Sequence, residues 1–537
     1  MKTINPQFDE SILNANGLAH PETFLNHILQ LTKDGEPNDH KEVLRLLIDQ
    51  IEPLDFEAKA FPELVQLKQR LAELSEDKES WGGDENTGKG DTPKQNERKR
   101  LERKISRMRL TESHFLIIAV ENLLNVAKAK RWGLCKSMDF IYLYNGAYWK
   151  EIERGELENF LGEAAEKMGV NHFKAAFFQF REKLYKQFLT TAYLPTPEKV
   201  KGIVLINLKN GTFEITPTGT RLRAFNAADF LTYQLPFEYD PKAKAPQFEA
   251  YLNRVLPEVE RQKVLAEFLG YVFTPMGTLK MEKTLLLYGT GANGKSVLFE
   301  IVNALVGADN ISSYSLQSLT NETGYFRAKL ANKLVNYASE INGNLETAIF
   351  KQLVSGEPVE ARLPYGQPFT LTQYARLIFN CNELPKDVEH SEAYFRRFLI
   401  IPFDVTIPET ERDKELSNKI IGAELSGVFN WILEGLKRLL QQKNFTDCES
   451  VRRQLEIFKT QSDSVKLFLE DAGYTPSTKS YKLIKDLYQD YRGFCNEDGC
   501  RPLNKTNFIK RLDSSSVMVE RRNIGNVACL GRENNPF

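Results

Sequence analysis

Apolar residues recur at three- to four-residue intervals through much of the first 80 positions, as in "HKEVLRLLIDQIEPL" from His40 and "FPELVQLKQRLAEL" from Phe61. Such spacing places them on one face of short amphipathic helices and predicts a helical module over residues 1–85. The pattern stops at "EDKESWGGDENTGKGDTPKQNERKR", which is polar, holds four glycines and has no apolar period. Too little apolar surface is available there to offset chain entropy, so residues 86–105 are expected to be a flexible linker. The basic run that follows, "KQNERKRLERKISRMRL", reads first as a solvated helix start, with a nucleic-acid contact as the alternative.

Periodicity returns at "ESHFLIIAVENLLNVAKAK" as helix, and "DFIYLYNGAYWKEI" switches to strands around Asn145-Gly146, a strong hairpin-turn dipeptide. "GIVLINLKNGTFEITPTGTRLRAF" predicts two more strands around Asn210-Gly211. A mixed, mostly helical domain over 106–240 results. Helices at "APQFEAYLNRVL" and "ERQKVLAEFLGYVF" then lead to the apolar strand "TLLLY" and the helical "SVLFEIVNALVG".

Between that strand and helix lies "GTGANGKS", which fits G-x-x-x-x-G-K-[ST] through Gly289, Gly294, Lys295 and Ser296. A strand before and a helix after are the context in which this spacing binds nucleotide phosphates. The residues Gly289, Thr290, Gly291, Ala292, Asn293, Gly294, Lys295, Ser296 and Val297 are the expected nucleotide contacts. Backbone N–H groups would turn onto the phosphates, Lys295 would reach the β and γ groups of ATP, and Ser296 would ligate Mg²⁺ at a helix N-terminus that favours anions. A chance Gly-rich turn is the bland alternative.

Further along, "NKLVNYASEIN" reads as a strand ending at Glu340, whose carboxylate can polarise water or help hold Mg²⁺. A surface Glu after a core strand is the other reading. Ser339 stands where many such ATPases carry a second acid. The strand "RLIF" ends in Asn380, Cys381 and Asn382, where an amide at Asn382 can sense a γ phosphate or merely open the turn before Pro385. "HSEAYFRRFLIIPFD" places Arg396 and Arg397 before a strand, as an arginine finger for an adjacent subunit's nucleotide or as a satisfied surface pair.

The C-terminal pattern is helix, helix, hairpin: "YKLIKDLYQDYRGFCNEDG", then "NKTNFIKRL" with Asn504 as a cap, then "VMVERRNIGNVACL". This is the order of a winged helix over 460–537. Lys505, Lys510, Arg511, Arg521 and Arg522 are its candidate DNA contacts, against a protein-docking winged helix with solvated charges.

Composition narrows the rest. The 537 residues exceed what one core supports. A formal net charge of -1 supplies no global basic field, so any nucleic-acid partner must be met by local patches. Six cysteines without metal-ligand spacing read as reduced thiols, and no apolar run approaches the roughly 20 residues that span a bilayer. No membrane partner is expected, and the location read from this is cytoplasmic.

The ordered set "GTGANGKS", "KLVNYASE", "KQLVSGEPVEARLPYGQPF", "LIFNCNELP" and "YFRRFLIIPF" resembles the superfamily 3 helicases, specifically the helicase part of phage, plasmid and poxvirus primase-helicases. Upstream, "LYNGAYWKEI", "INLKNGTFEI" and "FLTYQLPFEYD" look like that family's accessory domain, so the resemblance covers roughly residues 110 to 530. It implies a multidomain α/β protein: an AAA+-type P-loop ATPase core with a parallel sheet over 241–455, flanked by mostly helical N-terminal domains and the C-terminal winged helix. The implied function is an ATP-dependent helicase of a phage, plasmid or other mobile element, in a bacterial or phage-infected cell. It would act as a homo-hexamer on single-stranded and forked DNA, with Lys295, Glu340, Asn382 and Arg396 or Arg397 as catalytic residues. The motif between the acidic strand and the sensor would line a central pore through Arg362 and Tyr365, a cation for phosphate and an aromatic for bases. Family members that prime DNA synthesis carry a polymerase domain at the N-terminus. Only about a hundred helical residues precede the accessory domain here, so no primase is expected in this chain and a separate primase or polymerase is a candidate partner. The rival readings are a ring-forming DNA-binding ATPase, an initiator or remodeller, that does not unwind, and more remotely a nucleotide switch that uses no DNA.

Overall fold

The computed structural model describes residues 39–76, 93–130, 132–137, 140–192, 202–339, 341, 345–364, 366–385, 388–499 and 502–532. The chain divides into two compact units, residues 1–199 with 223–232 and residues 200–222 with 233–537. The expected accessory-domain boundary at 240 therefore does not coincide with the division, because residues 200–222 group with the second unit.

In the first unit, helices α1 (His40–Asp49), α2 (Phe56–Ala60), α3 (Leu64–Glu76) and α4 (Pro93–Arg107) precede α5 (Glu112–Ala129). Apolar Val43, Leu44, Leu47 and Phe56 are buried, as the helical period demands. The linker expected over 86–105 is corrected for 93–105, which is helical; residues 86–92 lie outside the described residues. Helix α4 buries no residue, so packing of an apolar face does not account for it. It starts on Pro93, a residue pre-set for the first helical turn, and carries an Arg98–Glu102 pair one turn apart at 2.8 Å. It is also paired to its neighbours through Arg70–Glu97 at 3.2 Å and Lys104–Glu63 at 2.7 Å. The antiparallel sheet β1 (Gly133–Ser137), β2 (Phe140–Tyr144) and β3 (Trp149–Glu151) turns at Asn145-Gly146, where Gly146 takes φ +106 and the Asn145 carboxamide oxygen accepts from the N–H groups of Ala147 and Tyr148. Helices α6 (Arg154–Lys167), α7 (His172–Ala176) and α8 (Phe178–Thr191) complete this unit.

The second unit opens with antiparallel β4 (Val204–Leu208), β5 (Gly211–Thr216) and β6 (Gly219–Arg223), then α9 (Pro246–Val255) and α10 (Val259–Tyr271). Its centre is a five-stranded sheet in the order β13 (Phe398–Pro402), β7 (Thr284–Tyr288), β12 (Arg376–Cys381), β9 (Val335–Ser339), β8 (Ile311–Ser312), with every neighbouring pair parallel. Between these strands run α11 (Lys295–Val306), α12 (Leu316–Thr320), α13 (Tyr325–Ala328), α14 (Thr347–Ser355), the hairpin β10 (Val359–Arg362) and β11 (Pro368–Leu371), and α15 (Glu392–Phe395). Strand β7 reads Thr-Leu-Leu-Leu-Tyr without alternation because helices cover both faces of a parallel sheet.

After the sheet come α16 (Leu416–Ala423), α17 (Leu425–Gln442) and α18 (Glu449–Gln461). Helices α10 and α17 approach until their backbones touch: a β-carbon on Gly270 would lie 2.6–2.9 Å from Leu436, and one on Gly435 would lie 2.4 Å from the Ala266 carbonyl carbon. The same contact buries Glu267 completely, its charge met by Arg438 at 2.5 Å and by the N–H and hydroxyl of Thr446 at 2.7 and 2.5 Å. The chain ends in α19 (Ser464–Asp471), β14 (Tyr474–Pro476), β15 (Lys482–Leu483), α20 (Ile484–Glu497), α21 (Lys505–Ser514), β16 (Val519–Arg522), β17 (Gly525–Ala528) and β18 (Leu530–Arg532). Phe468, Ile484, Tyr491, Phe508 and Leu512 form its core. Asn504 caps α21, as its position suggested, by accepting from the Asn507 N–H at 2.9 Å. Among the described residues, no helix is long and apolar enough to cross a membrane.

The α10–α17 contact generates a prediction of sign. An alanine in place of glycine inside an exposed helix stabilises by roughly 1 kcal/mol. At Gly435 the close backbone reverses this, and Gly435→Ala is expected to destabilise by about 1–3 kcal/mol through overpacking. A thermal melt checks it, and an unchanged or raised melting temperature contradicts the packing described.

Candidate functional site

Strand β7 delivers the chain to Gly289 at the carboxyl end of the sheet, and α11 begins six residues later at Lys295. The loop between them turns through Gly291 at φ +111, Ala292 at φ +51 and Gly294 at φ +86. Close approach, rather than φ, requires glycine at 289: a β-carbon there would lie 2.1 Å from the Asn293 amide nitrogen and 2.4 Å from the Phe403 carbonyl oxygen. Asn293 ties the loop to the exit of β13 by donating to Phe403 O at 3.0 Å. Lys295 folds over the loop and donates to Gly289 O at 2.5 Å and Asn293 Oδ1 at 3.0 Å. Its burial holds the ammonium pKa below the usual lysine value, with Cys381 opposing that shift. A phosphate chain brought to this lysine would restore the compensation that burial removes.

The loop floors a cavity of about 710 Å³, a size that suits a nucleotide-scale ligand. Residues 291–297 line it together with Ser339, Asn380 and Asn382 at the tips of β9 and β12. Of the expected nucleotide contacts, Gly291 to Val297 line this cavity together with Asn382, whereas Gly289 and Thr290 line a separate cavity beside Phe403. Glu340 lies outside the described residues, although the preceding Ser339 reaches the cavity. Asn380 Oδ1 is held by the Tyr337 hydroxyl at 3.1 Å, whereas Asn382 is exposed.

Opposite the loop the cavity is walled by Tyr251, Arg254 and Val255 of α9 and by Ile407, Glu411 and Leu416. Sequence reasoning missed these. Tyr251 and Val255 share one helix face, so their spacing signals only a buried face, and Ile407 and Leu416 come from a segment more than a hundred residues downstream. The Tyr251 hydroxyl donates to Gly294 O at 2.8 Å, and a β-carbon on Gly294 would lie 2.7 Å from Val255. The wall and the loop are one packed object.

The two candidate finger residues separate sharply. Arg397 is buried and donates to Lys351 O at 3.3 Å, to Ala393 O and to Ser355 Oγ at 2.9 Å. Arg397 as a finger is therefore corrected: its guanidinium braces α14 against α15. Arg396 is exposed and ion-paired with Glu282 at 2.8 Å. It precedes β13, whose Phe398 pairs with Thr284 and whose Pro402 pairs with Tyr288, so Arg396 sits at the opposite end of the sheet from the loop. At about 3.3 Å per residue the strand separates them by roughly 16 Å. Arg396 does not line the cavity of its own chain.

Arg362 is exposed at the end of β10 and donates to Gly366 O at 2.9 Å, while Tyr365 lies outside the described residues. Sequence reasoning missed what stands beside this hairpin. Buried Arg327 donates to Glu360 O at 2.8 Å and Leu319 O at 3.2 Å, and Arg362 N donates to Gly324 O at 3.4 Å. These bonds hold α13 against the hairpin with Tyr325 and Phe326 each 38% exposed. "GYFR" resembles an ordinary helix start, so only the tertiary contact reveals the pairing.

In the C-terminal module, Lys505 and Lys510 are exposed along α21, and Arg521 is exposed on β16. Arg511 differs: it is half-buried, its pKa lowered by that burial, and it donates to His390 O at 3.0 Å. The expectation that Arg511 contacts DNA is corrected to a docking contact with the segment before α15. Arg522 pairs with Glu520 and lies 4.2 Å from the Tyr481 ring centre.

Residues 121–257 match the family described as "D5 N terminal like", and residues 287–397 match a family of unknown function, DUF5906. A putative helicase of Acanthamoeba polyphaga mimivirus, L207/L206, is 26% identical over 162 residues, 28% of this chain and 17% of that protein. Putative helicase 121R of Invertebrate iridescent virus 3 is 22% identical over 368 residues, 59% of this chain and 38% of that protein. Over these stretches the chain resembles the superfamily 3 primase-helicases. It spans 17% and 38% of the lengths of these curated relatives. Among solved structures, the chain is similar to the A-form apo structure of the NrS-1 C-terminal region, with 13% identity, a TM-score of 0.42, and coverage of 78% of this chain and 99% of that one.

Two outcomes are expected from the geometry of this candidate site. Gly294→Ala forces a β-carbon into Val255 at a left-handed φ, so nucleotide affinity measured by fluorescent-analogue titration is expected to fall about tenfold or more. Arg397→Ala is expected to lower the melting temperature by stripping a buried donor set, whereas Arg396→Ala is expected to stay within about 0.5 kcal/mol of wild type, as exposed substitutions do. Equal effects of the two on the melt would contradict the assignment.

Proposed function

We propose that this chain is an ATP-dependent DNA helicase that works as a hexameric ring and draws single-stranded DNA through a central pore, serving replication of a phage, plasmid or other mobile element. One observation carries this reading: the cavity unites the loop with the strand-tip asparagines, while exposed Arg396 stands at the far end of the sheet, away from the cavity of its own chain, which supports use by a neighbouring subunit's nucleotide. The strand order supports an AAA+-type core, since β7 sits inside the sheet between β13 and β12 with its loop at the carboxyl end.

In this reading Lys295 neutralises the β and γ phosphates of ATP. Ser296, exposed in the first turn of α11 and lining the cavity, fits a phosphate-bound Mg²⁺, with Glu340 completing the metal and water site. Magnesium supplies charge neutralisation on the phosphates. Asn382 reports the γ phosphate, Tyr251 and Leu416 face the base, and Arg396 of one subunit meets the nucleotide of the next. Arg362 and Tyr365 contact the strand by charge and stacking, and half-open Tyr325 on α13 adds a further ring. The C-terminal module is read as a winged helix from its two helices and three-stranded sheet, meeting DNA phosphates through Lys505, Lys510, Arg521 and Arg522.

A strand-displacement assay on forked DNA with ATP and Mg²⁺ tests the proposal. Wild type is expected to unwind, and Lys295→Ala is expected to bind DNA without hydrolysing ATP or unwinding. DNA-stimulated hydrolysis with no strand separation would favour the ring-forming initiator or remodeller instead. Absence of both would end the nucleic-acid motor reading.

A further inference from the structure

The contact that holds Arg396 has features an incidental surface ion pair lacks. Arg396 uses a single nitrogen, Nη2, to reach Glu282 Oε2 at 2.8 Å, and its side chain remains 55% exposed. Its Nη1 and Nε have no partner among the described residues, which leaves one edge of the guanidinium fork open for a bidentate phosphate contact. Glu282 itself is 19% exposed at its side chain, and its other oxygen, Oε1, faces Lys280 Nζ at 3.4 Å. The backbone is fixed as well: Glu282 has φ +53, a left-handed conformation uncommon for a residue with a β-carbon, and the turn that holds it runs into two residues fixed to the chain just before β13. Next to it, Lys283 Nζ donates to the Arg396 carbonyl at 2.5 Å, and Thr284 N donates to Arg397 O at 2.8 Å. The turn at 280–283 thus grips Arg396 at its carbonyl and at the tip of its side chain.

We propose that Glu282 is a positioning residue, which aims the open edge of the Arg396 guanidinium across the subunit boundary at the neighbour's nucleotide. The inference rests on the reading of Arg396 as a finger supplied to another subunit. A carboxylate that takes one nitrogen and leaves the fork open fixes the direction of a long, rotamer-rich side chain before the phosphate arrives. Near-attack placement is where small misalignments cost most in rate, so the effect belongs in turnover and not in nucleotide binding. The same turn runs directly into β7, whose far end carries the phosphate loop, so one strand links the finger a subunit offers to the nucleotide it holds.

The test is a double-mutant cycle on full-length protein, reading DNA-stimulated ATP turnover, KM for ATP and melting temperature for wild type, Glu282→Gln, Arg396→Ala and the double variant. Glu282→Gln is expected to lower kcat on the order of 3- to 10-fold with KM and melting temperature unchanged, and to lower nothing further in the Arg396→Ala background. Glu282→Asp, which keeps the charge, is expected to recover part of the loss. If Arg396→Ala loses turnover but Glu282→Gln is silent, or its loss adds to that of Arg396→Ala, Glu282 does not position the finger and the proposal falls while the finger reading stands. If Glu282→Gln also lowers the melting temperature and the Asp variant does not recover turnover, the residue is structural and the proposal falls in the same way. Full turnover by Arg396→Ala would overturn the finger reading and this proposal together.

Discussion

The absence of a side chain at Gly289 is the constraint on which the candidate site depends. Strand β7 can bend into a loop tight enough to return beneath Phe403 only because nothing projects from Gly289 into the Asn293 amide and the Phe403 carbonyl. That closeness lets Asn293 stitch the loop to β13 and lets Lys295 fold back onto Gly289 O, so the ammonium is held over the loop before any phosphate arrives. Two strands and a helix N-terminus are thereby locked into one cradle. The lysine gives up hydration to sit there, which burial registers as a lowered pKa, and an anionic ligand reverses that cost.

Burial sorts the arginines of the second unit into two kinds. Arg327 and Arg397 are buried with their donors spent largely on carbonyl oxygens, and Arg376 stacks on Tyr271 at 3.9 Å. Each joins elements that local sequence does not relate: α13 to the hairpin, α14 to α15, and β12 to α10. Arg396 and Arg362 remain exposed at an edge and a tip. A guanidinium suits both uses because it stays charged when buried and offers a planar fork when free. Position in the fold, rather than residue type, decides which use applies.

The C-terminal module shows a similar division of labour. Lys505 and Lys510 point to solvent from α21, while Arg511 on the same helix reaches back to His390 O, and His390 lies near Asp463 at the start of α19 at 3.9 Å. The segment that docks the module therefore continues directly into α15 and Arg396. Phe395, in edge-to-face contact with both His390 and Phe458, extends the apolar side of that path.

Much of this protein was legible without coordinates. The phosphate loop, its strand and helix, the hairpin at Asn145-Gly146 and the cap at Asn504 all follow from interactions within a few residues, where spacing and glycine chemistry are decisive. The basic run from Lys94 was legible as a solvated helix start, but not that the helix begins at Pro93 inside the expected linker and is paired to Glu63 and Arg70, because that stretch has no apolar period. Nor could adjacent Arg396 and Arg397 be distinguished in one dimension, since one step along a helix end turns a side chain from solvent to core. The same holds for Arg511 against Lys510, for the rings at Tyr325 and Phe326 on the helix beside the hairpin, and for the wall of Tyr251, Ile407 and Leu416. Local sequence determined which chemistry the chain carries, because that chemistry is written in short spacings. Which charges are spent inside the fold and which are left to meet a ligand was decided only by contacts between residues tens to hundreds of positions apart, and such contacts leave no periodic trace.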